Sequence, residues 1–170
     1  MEQIKMIDFE KLQADIIKDV FESKFTDKVA DYKVCGPIII DGNRYIPVAH
    51  KNISMFLIPV AYCLLSLAII DVYIDAKKIF KNIKDVEELQ DTKMIKQTVR
   101  GRQLKEFKTP AGKTIFVDES LLKPFGQGIR YYANKDCDIA VYIKEGEEYL
   151  GLAMATLYKA ENDRSRPEAN

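Results

Sequence analysis

The sequence predicts an α+β fold in which an N-terminal helix and an antiparallel β-meander pack on a long apolar helix, followed by a mostly β C-terminal part that can close into a small barrel. Three patterns carry this expectation. Phe9, Leu12, Ile16 and Val20 recur at helical spacing near the start of the chain. Residues 52–70, NISMFLIPVAYCLLSLAII, hold no charge. From residue 99 onward, short β-rich runs alternate with turn residues.

Taken in order, the first element is a helix over Phe9 to Lys24, with Asp8 placed to accept from the free amides of its first turn. Lys33 to Ile40 and Arg44 to Ala49 are β-rich runs around Asp41-Gly42-Asn43, a hairpin signal because Asp-Gly tolerates positive φ. After the polar His50-Lys51-Asn52, the apolar run reads as a third strand over Ile53 to Ile58. Pro59 then opens a helix from Val60 through Leu67, Ile70 and Ile74 to Ile83, since proline suits a first helical turn. Asp85 to Gln97 continues that helix or forms another, on a thin apolar stripe of Val86, Leu89 and Ile95. Thr109 to Gly112 is turn chemistry, KTIFVD is a strand, and Pro124 to Gly128 is a loop. Ile139, Val141 and Ile143 alternate in one strand, Glu145-Gly146-Glu147 turns, and Tyr149 to Leu157 makes another. The tail from Glu161 has the composition of a solvated end. The organisation expected is residues 1–98 as helix, meander and long helix, 99–160 as a mostly β region and 161–170 as a tail, with a single domain as the alternative.

The 170 residues are 47% hydrophobic, enough for a core without disulfides or metals. Lys plus Arg and Asp plus Glu each total 26, so no global field draws the chain to nucleic acid or anionic lipid. Any such contact needs a local patch. Cys35, Cys63 and Cys137 are odd in number and widely spaced, which reads as reduced thiols in a cytoplasmic compartment. The acidic, amphipathic start MEQIKMIDFEKLQAD is unlike a secretory signal. The alternative is a single-pass membrane protein with its span near 53–74, because an uncharged run of this length reaches the threshold for a spanning helix. Pro59, Ser54, Tyr62 and Ser66 weaken that reading. Lys77, Lys78, Lys81 and Lys84 would set the C-terminal side in the cytoplasm, forcing the N-terminal hairpin across the bilayer.

The order helix, three strands, helix, with GPIIIDGNRYIPVAHKNIS in the hairpin, resembles the layout of the nuclease superfamily whose signature is a Pro-Asp pair followed by an acidic-x-Lys triplet. In that family two carboxylates hold the metal that activates water. Here Pro37 is followed by Ile38 and the triplet is Ala49-His50-Lys51, so both acidic positions are missing. Asp41 and Lys51 alone do not build that site. His50 is the single histidine, and no cysteine sits in a nucleophile motif. The acidic pairs Asp118-Glu119, Asp136/Asp138 and Glu147/Glu148 lack the ligand spacing of a cation loop and fit turn solvation. No cofactor or metal is implied, and the chain reads as a non-enzyme.

Two segments suggest binding. Residues 93–113 hold Lys93, Lys96, Arg100, Arg102, Lys105, Lys108 and Lys113 against the one acid Glu106. Lys96, Arg100, Arg102, Lys105 and Lys108 could neutralise phosphates of a nucleic acid, with Phe107 stacking on a base. The bland alternative is a solvated linker whose charge is answered by the acidic stretch just before it, Asp85 to Asp91. In the C-terminal strands YLGLAMATLY is apolar on both faces, so it lies either at a sheet centre or at an edge that pairs with another chain. Tyr142, Tyr149, Leu150, Leu152 and Met154 are the interface candidates, as Tyr is frequent where one end is buried and the other wet. The functional expectation is an interaction or assembly subunit, oligomeric or bound to a protein partner through this C-terminal sheet. A nucleic-acid-binding module is the first alternative.

Overall fold

The computed structural model describes residues 7–66 and 69–158. Helix α1 (Phe9–Phe25) begins where expected, with the Asp8 carboxylate accepting from the Lys11 amide at 3.0 Å. Its inner stripe of Phe9, Leu12, Ile16 and Val20 packs on Val34, Ile46, Val48 and Ile58 of the sheet. Two polar ties fix its position. The buried Gln13 amide donates to the Tyr62 carbonyl and accepts from the Leu64 amide, and Asp19 accepts from the Tyr32 amide.

The first expected strand is two: β1 (Tyr32–Val34) and β2 (Ile38–Ile40) both lie antiparallel to β3 (Asn43–His50), which pairs with β4 (Ser54–Pro59). Asp41 and Gly42 form the hairpin turn with φ of 50° and 80°, the positive values a two-residue turn requires. All six side chains of β4 are buried, so the first half of the uncharged run is a strand covered on both faces.

The helix expected from Val60 to Ile83 does not form. Pro59 stays in β4 opposite Tyr45, and a single 3-10 turn, Val60–Tyr62, gives way to extended chain. Backbone groups there find partners outside any helix: the Leu64 amide goes to Gln13, the Asp71 amide to the Val34 carbonyl, and Ile70 bridges Val34 in parallel. Beyond the Val60–Tyr62 turn, the described helical residues of this stretch are Ile69, in 3-10 conformation, α2 (Ala76–Ile79) and a 3-10 turn, Lys81–Asp85. Leu67 lies outside the described residues. No helix among the described residues is long and apolar enough to cross a membrane, so the expected span is not found there.

Of the segment expected to be helical from Asp85 to Gln97, Asp85 ends the 3-10 turn and residues 86–97 are not helical. They form β5 (Val86–Glu88) and β6 (Gln90–Gln97), because three apolar residues give a helix too little to bury whereas strand pairing satisfies the backbone. There follow β7 (Gln103–Lys108), β8 (Thr114–Asp118), α3 (Glu119–Leu122), a 3-10 turn at Lys123–Phe125, β9 (Arg130–Asn134), β10 (Cys137–Glu145) and β11 (Glu148–Thr156). Every pairing between strands is antiparallel. The main path runs β1-β3-β4-β11-β10-β9-β5, with β6-β7-β8 branching at β11. Gly151 to Ala153 pair with β4, while Ala155 and Thr156 pair with β8. The sheet is not closed into a barrel: β5 bonds to β9 and β6 to β7, but β5 and β6 share no ladder. The β6–β7 hairpin spans the expected boundary at residue 98, and the β4–β11 pairing joins the two expected regions in one sheet.

Three clusters fill the interior. One lies among β7 to β11 and is capped by Leu122 and Phe125, with Phe125 5.0 Å from Phe56 and Phe107 4.5 Å from Tyr131 between ring centres. A second lies on the other sheet face under Ala76, Phe80 and Ile83, and the third lies under α1. At the junction, the register shifts between Ile143 and Lys144 and leaves Leu150 as the extra residue of a bulge on β11. Next to it, Gly151 approaches so closely that any Cβ would collide with the Met55 carbonyl oxygen and lie 2.7 Å from the Phe125 ring.

Candidate interaction surface

The basic segment is the β6–β7 hairpin, turned at Thr98 to Arg102 by bonds between Thr98 and Arg102 and by Gly101 at φ 81°. Its charges are partly answered. Lys105 Nζ lies 2.9 Å from Asp91 and over the Tyr131 ring, and Arg102 Nε lies 2.9 Å from Asp118. Lys93 also pairs with Asp91, and Lys113 with Asp138. Burial works against ionisation of Asp91 and Asp118, yet bonds from Lys105 and Lys93 to the first, and from Ser120 and Arg102 to the second, hold both carboxyls below their ordinary value. Of the five nucleic-acid candidates, Arg102 and Lys105 are thus engaged within the fold, whereas Lys96, Arg100 and Lys108 make no ion pair among the described residues. Phe107 is fully buried against Tyr131, so the stacking role expected of it is withdrawn.

The C-terminal candidates lie at the sheet centre. Tyr142, Tyr149, Leu150 and Leu152 are buried, and Met154 alone of the five is partly open to solvent. Strand β11 is paired with β10 on one edge and with β4 and β8 on the other, so it presents no free edge along those segments. Two apolar faces here mean two cores, not a contact surface. Lys144 lies over the rings of Tyr149 and Tyr132, and burial pushes the Tyr149 hydroxyl up to about 12. These tyrosines hold the sheet together.

A row of exposed apolar side chains lies instead on the outer side of α1. Ile17, Phe21, Phe25 and, just past the helix, Val29 are 48%, 61%, 74% and 78% exposed. Spacing of four along the helix places Ile17, Phe21 and Phe25 in one line, the Phe21 and Phe25 ring centres are 4.9 Å apart, and Val29 follows in the non-helical chain after the Thr26 cap. Gln13 opens the same line one turn earlier, and through its two bonds it holds the end of the 3-10 turn at the exposed Tyr62, and the exposed Leu64 after it, beside the helix. The spacing was visible in the sequence, but it was masked by the stronger inner stripe of the same helix and by the reading of 60–83 as helix.

His50 borders a cleft of about 630 Å³ between α1 and the turn after α3, shared with Lys11, Asp15, Tyr32 and Lys123. Its ring stacks on Tyr32 at 4.5 Å. Burial, and then Lys51, lower its proton affinity, with Asp31 and Asp19 acting in the opposite sense. Neither a serine nor a cysteine borders this cleft, and no cluster of three metal-ligating side chains occurs among the described residues. The acidic pairs have local roles: Asp118 caps α3, and Asp138 is held by Lys113. Cys35 is buried, which pushes its thiol up to about 11, far from the range of a reactive thiolate.

No protein-family model, curated protein or solved structure matches the chain.

Proposed function

We propose that the protein is a non-enzymatic interaction subunit that associates reversibly with a second copy of itself through the outer row of α1. This keeps the interaction role expected from the sequence and moves its surface from β11 to the helix. The observation that supports it is the line of Ile17, Phe21 and Phe25, exposed on a helix whose opposite side is buried in the core, with the exposed Val29 just beyond its end.

With 61% and 74% of two phenylalanine rings exposed, and roughly 150–250 Å² to each aromatic side chain, the pair offers about 270 Å². Ile17 and Val29 bring the row to on the order of 400 Å² per copy, about half of what a standard stable interface takes from each partner. The association is accordingly weak and two-fold. Zero net charge adds no long-range repulsion between copies. Lys18, Glu22 and Lys24 supply both signs beside the row, as a self-complementary rim needs.

Sedimentation equilibrium from about 1 μM to about 1 mM, the range of weak association, tests this. The wild-type average mass should rise towards the dimer, and Phe21→Ser/Phe25→Ser should stay monomeric while unfolding at an unchanged denaturant midpoint. A wild-type protein monomeric at every concentration would overturn the proposal.

Lys96, Arg100 and Lys108 on the β6–β7 hairpin, which make no ion pair among the described residues, support a second reading as a nucleic-acid contact. Three phosphate contacts give a log–log salt slope of about −2 to −3. Binding unchanged by Arg100→Glu/Lys108→Glu would dismiss it.

A further inference from the structure

We infer that the cleft under α2 binds a single-chain, medium-length acyl carboxylate. The cleft, about 380 Å³, lies between the sheet face formed by Met55, Tyr142 and Leu152 and the helical turns that carry Lys78, Ile79 and Lys81. Three features define the occupant.

The first is an apolar mouth left open to water. Ile53, Ile79, Ile139 and Met154 all line the cleft and are all exposed, although the floor beneath them is core. Scattered exposed apolar side chains are ordinary, but four converging on one concavity mark a surface that a ligand covers.

The second is charge. Lys78 and Lys81 are the only ionised side chains that line the cleft, and neither makes an ion pair or hydrogen bond among the described residues. Asp138, which sits between the lining residues Cys137 and Ile139, is already engaged by Lys113. An apolar trough with two lysines at one side and no carboxylate facing them suits an amphiphile with a small anionic head.

The third is size. The cleft is at the small end of the range for small-molecule sites, on the scale of one short amphiphile, for which decanoate is the probe. Met55 and Met154 give the walls the adaptability that a flexible chain requires.

The test is a titration of protein carrying 13C-methyl methionine with sodium decanoate. Met55 and Met154 report from the cleft, and the exposed Met94 on β6 serves as an internal control. Saturable shifts are expected at Met55 and Met154 with Met94 unmoved. Affinity should rise about fourfold per methylene from hexanoate to decanoate. Lys78→Gln/Lys81→Gln, at two exposed positions, should bind decanoate at least tenfold more weakly, and decyltrimethylammonium should not bind the wild type. Met154→Trp, which fills the mouth, should abolish the shift at Met55. Shifts at Met94 equal to those at the cleft, no dependence on chain length, or equal binding of anion and cation would each overturn the inference.

Discussion

Gly151→Ala places one methyl group where the structure has no room for it. The new carbon would collide with the Met55 carbonyl oxygen and sit 2.7 and 2.9 Å from two carbons of the Phe125 ring. Relief requires the β4–β11 ladder to part at Gly151↔Phe56, or Phe125 to retreat from the cluster it caps. Overpacking of a filled core costs about 1–3 kcal/mol, and a weakened ladder bond adds about 0.5–1.5 kcal/mol. We expect a total of about 2–4 kcal/mol. For a chain of 170 residues, a urea slope of about 2 kcal/mol/M converts this to a midpoint lowered by about 1–2 M. Gly36→Ala is the control: a Cβ at Gly36 meets nothing within 4 Å, so its midpoint should stay close to wild type. Relief of the clash should also show as coupling, with Phe125→Leu costing less in the Gly151→Ala background than alone. A Gly151→Ala midpoint within about 0.3 M of wild type would refute the close approach on which this junction is argued.

The two sides of α1 give the next prediction: Ile16→Ala should cost about 2–4 kcal/mol because Ile16 is fully buried, whereas Ile17→Ala should leave the monomer's urea midpoint unchanged. Equal losses would contradict the assignment of inner and outer stripes. His50 supplies a pH dependence whose sign is fixed. Its folded form takes up a proton less readily than the ordinary value of 6.5 allows, so below that value the unfolded chain binds more protons. The contribution is therefore fully present above pH 6.5 and is lost as pH falls through it. Urea midpoints of wild type should decline between about pH 7.5 and 5, and His50→Gln should flatten that decline. Asp91 and Asp118, both held below the ordinary 3.8, lose their contribution only at lower pH, where midpoints of Arg102→Ala should fall less steeply than those of wild type.

Where local chemistry decides the conformation, the sequence was sufficient. The Asp8 cap, the inner stripe of α1 and the Asp41-Gly42 turn each follow from a few adjacent residues, and each stands as expected; β10 forms where expected, but Ile139 is exposed and Ala140 to Ile143 are buried without alternation. Residues 60–83 were misread because an apolar run has no intrinsic period that separates buried strand, exposed chain and helix. What settles that segment is long-range: Gln13, 51 residues earlier in sequence, takes the Leu64 amide, and Val34 takes the Asp71 amide. Residues 86–97 were misread for a related reason. Their β form depends on partners at β9 and β7 that no local pattern announces.

The candidate sites divide in the same way. The basic character of 93–113 was visible as composition, but that Asp91 and Asp118 answer Lys105 and Arg102 is a matter of strand register. The Tyr-rich, two-sided strand β11 was correctly read as apolar on both faces, and its junction position makes those faces interior. The outer row of α1 carried a signal, Ile17, Phe21 and Phe25 at spacing four, that only the burial of the opposite stripe turns into a surface.

The most direct measurement of the central claim is an isotope-filtered NOE experiment on an equal mixture of labelled and unlabelled protein at about 1 mM, a concentration where weak association is populated. Self-association through α1 predicts contacts between copies from the Phe21 and Phe25 ring protons to the methyl groups of Ile17 and Val29. Contacts confined to other surfaces, or none at a concentration where the mass is that of a dimer, would contradict it.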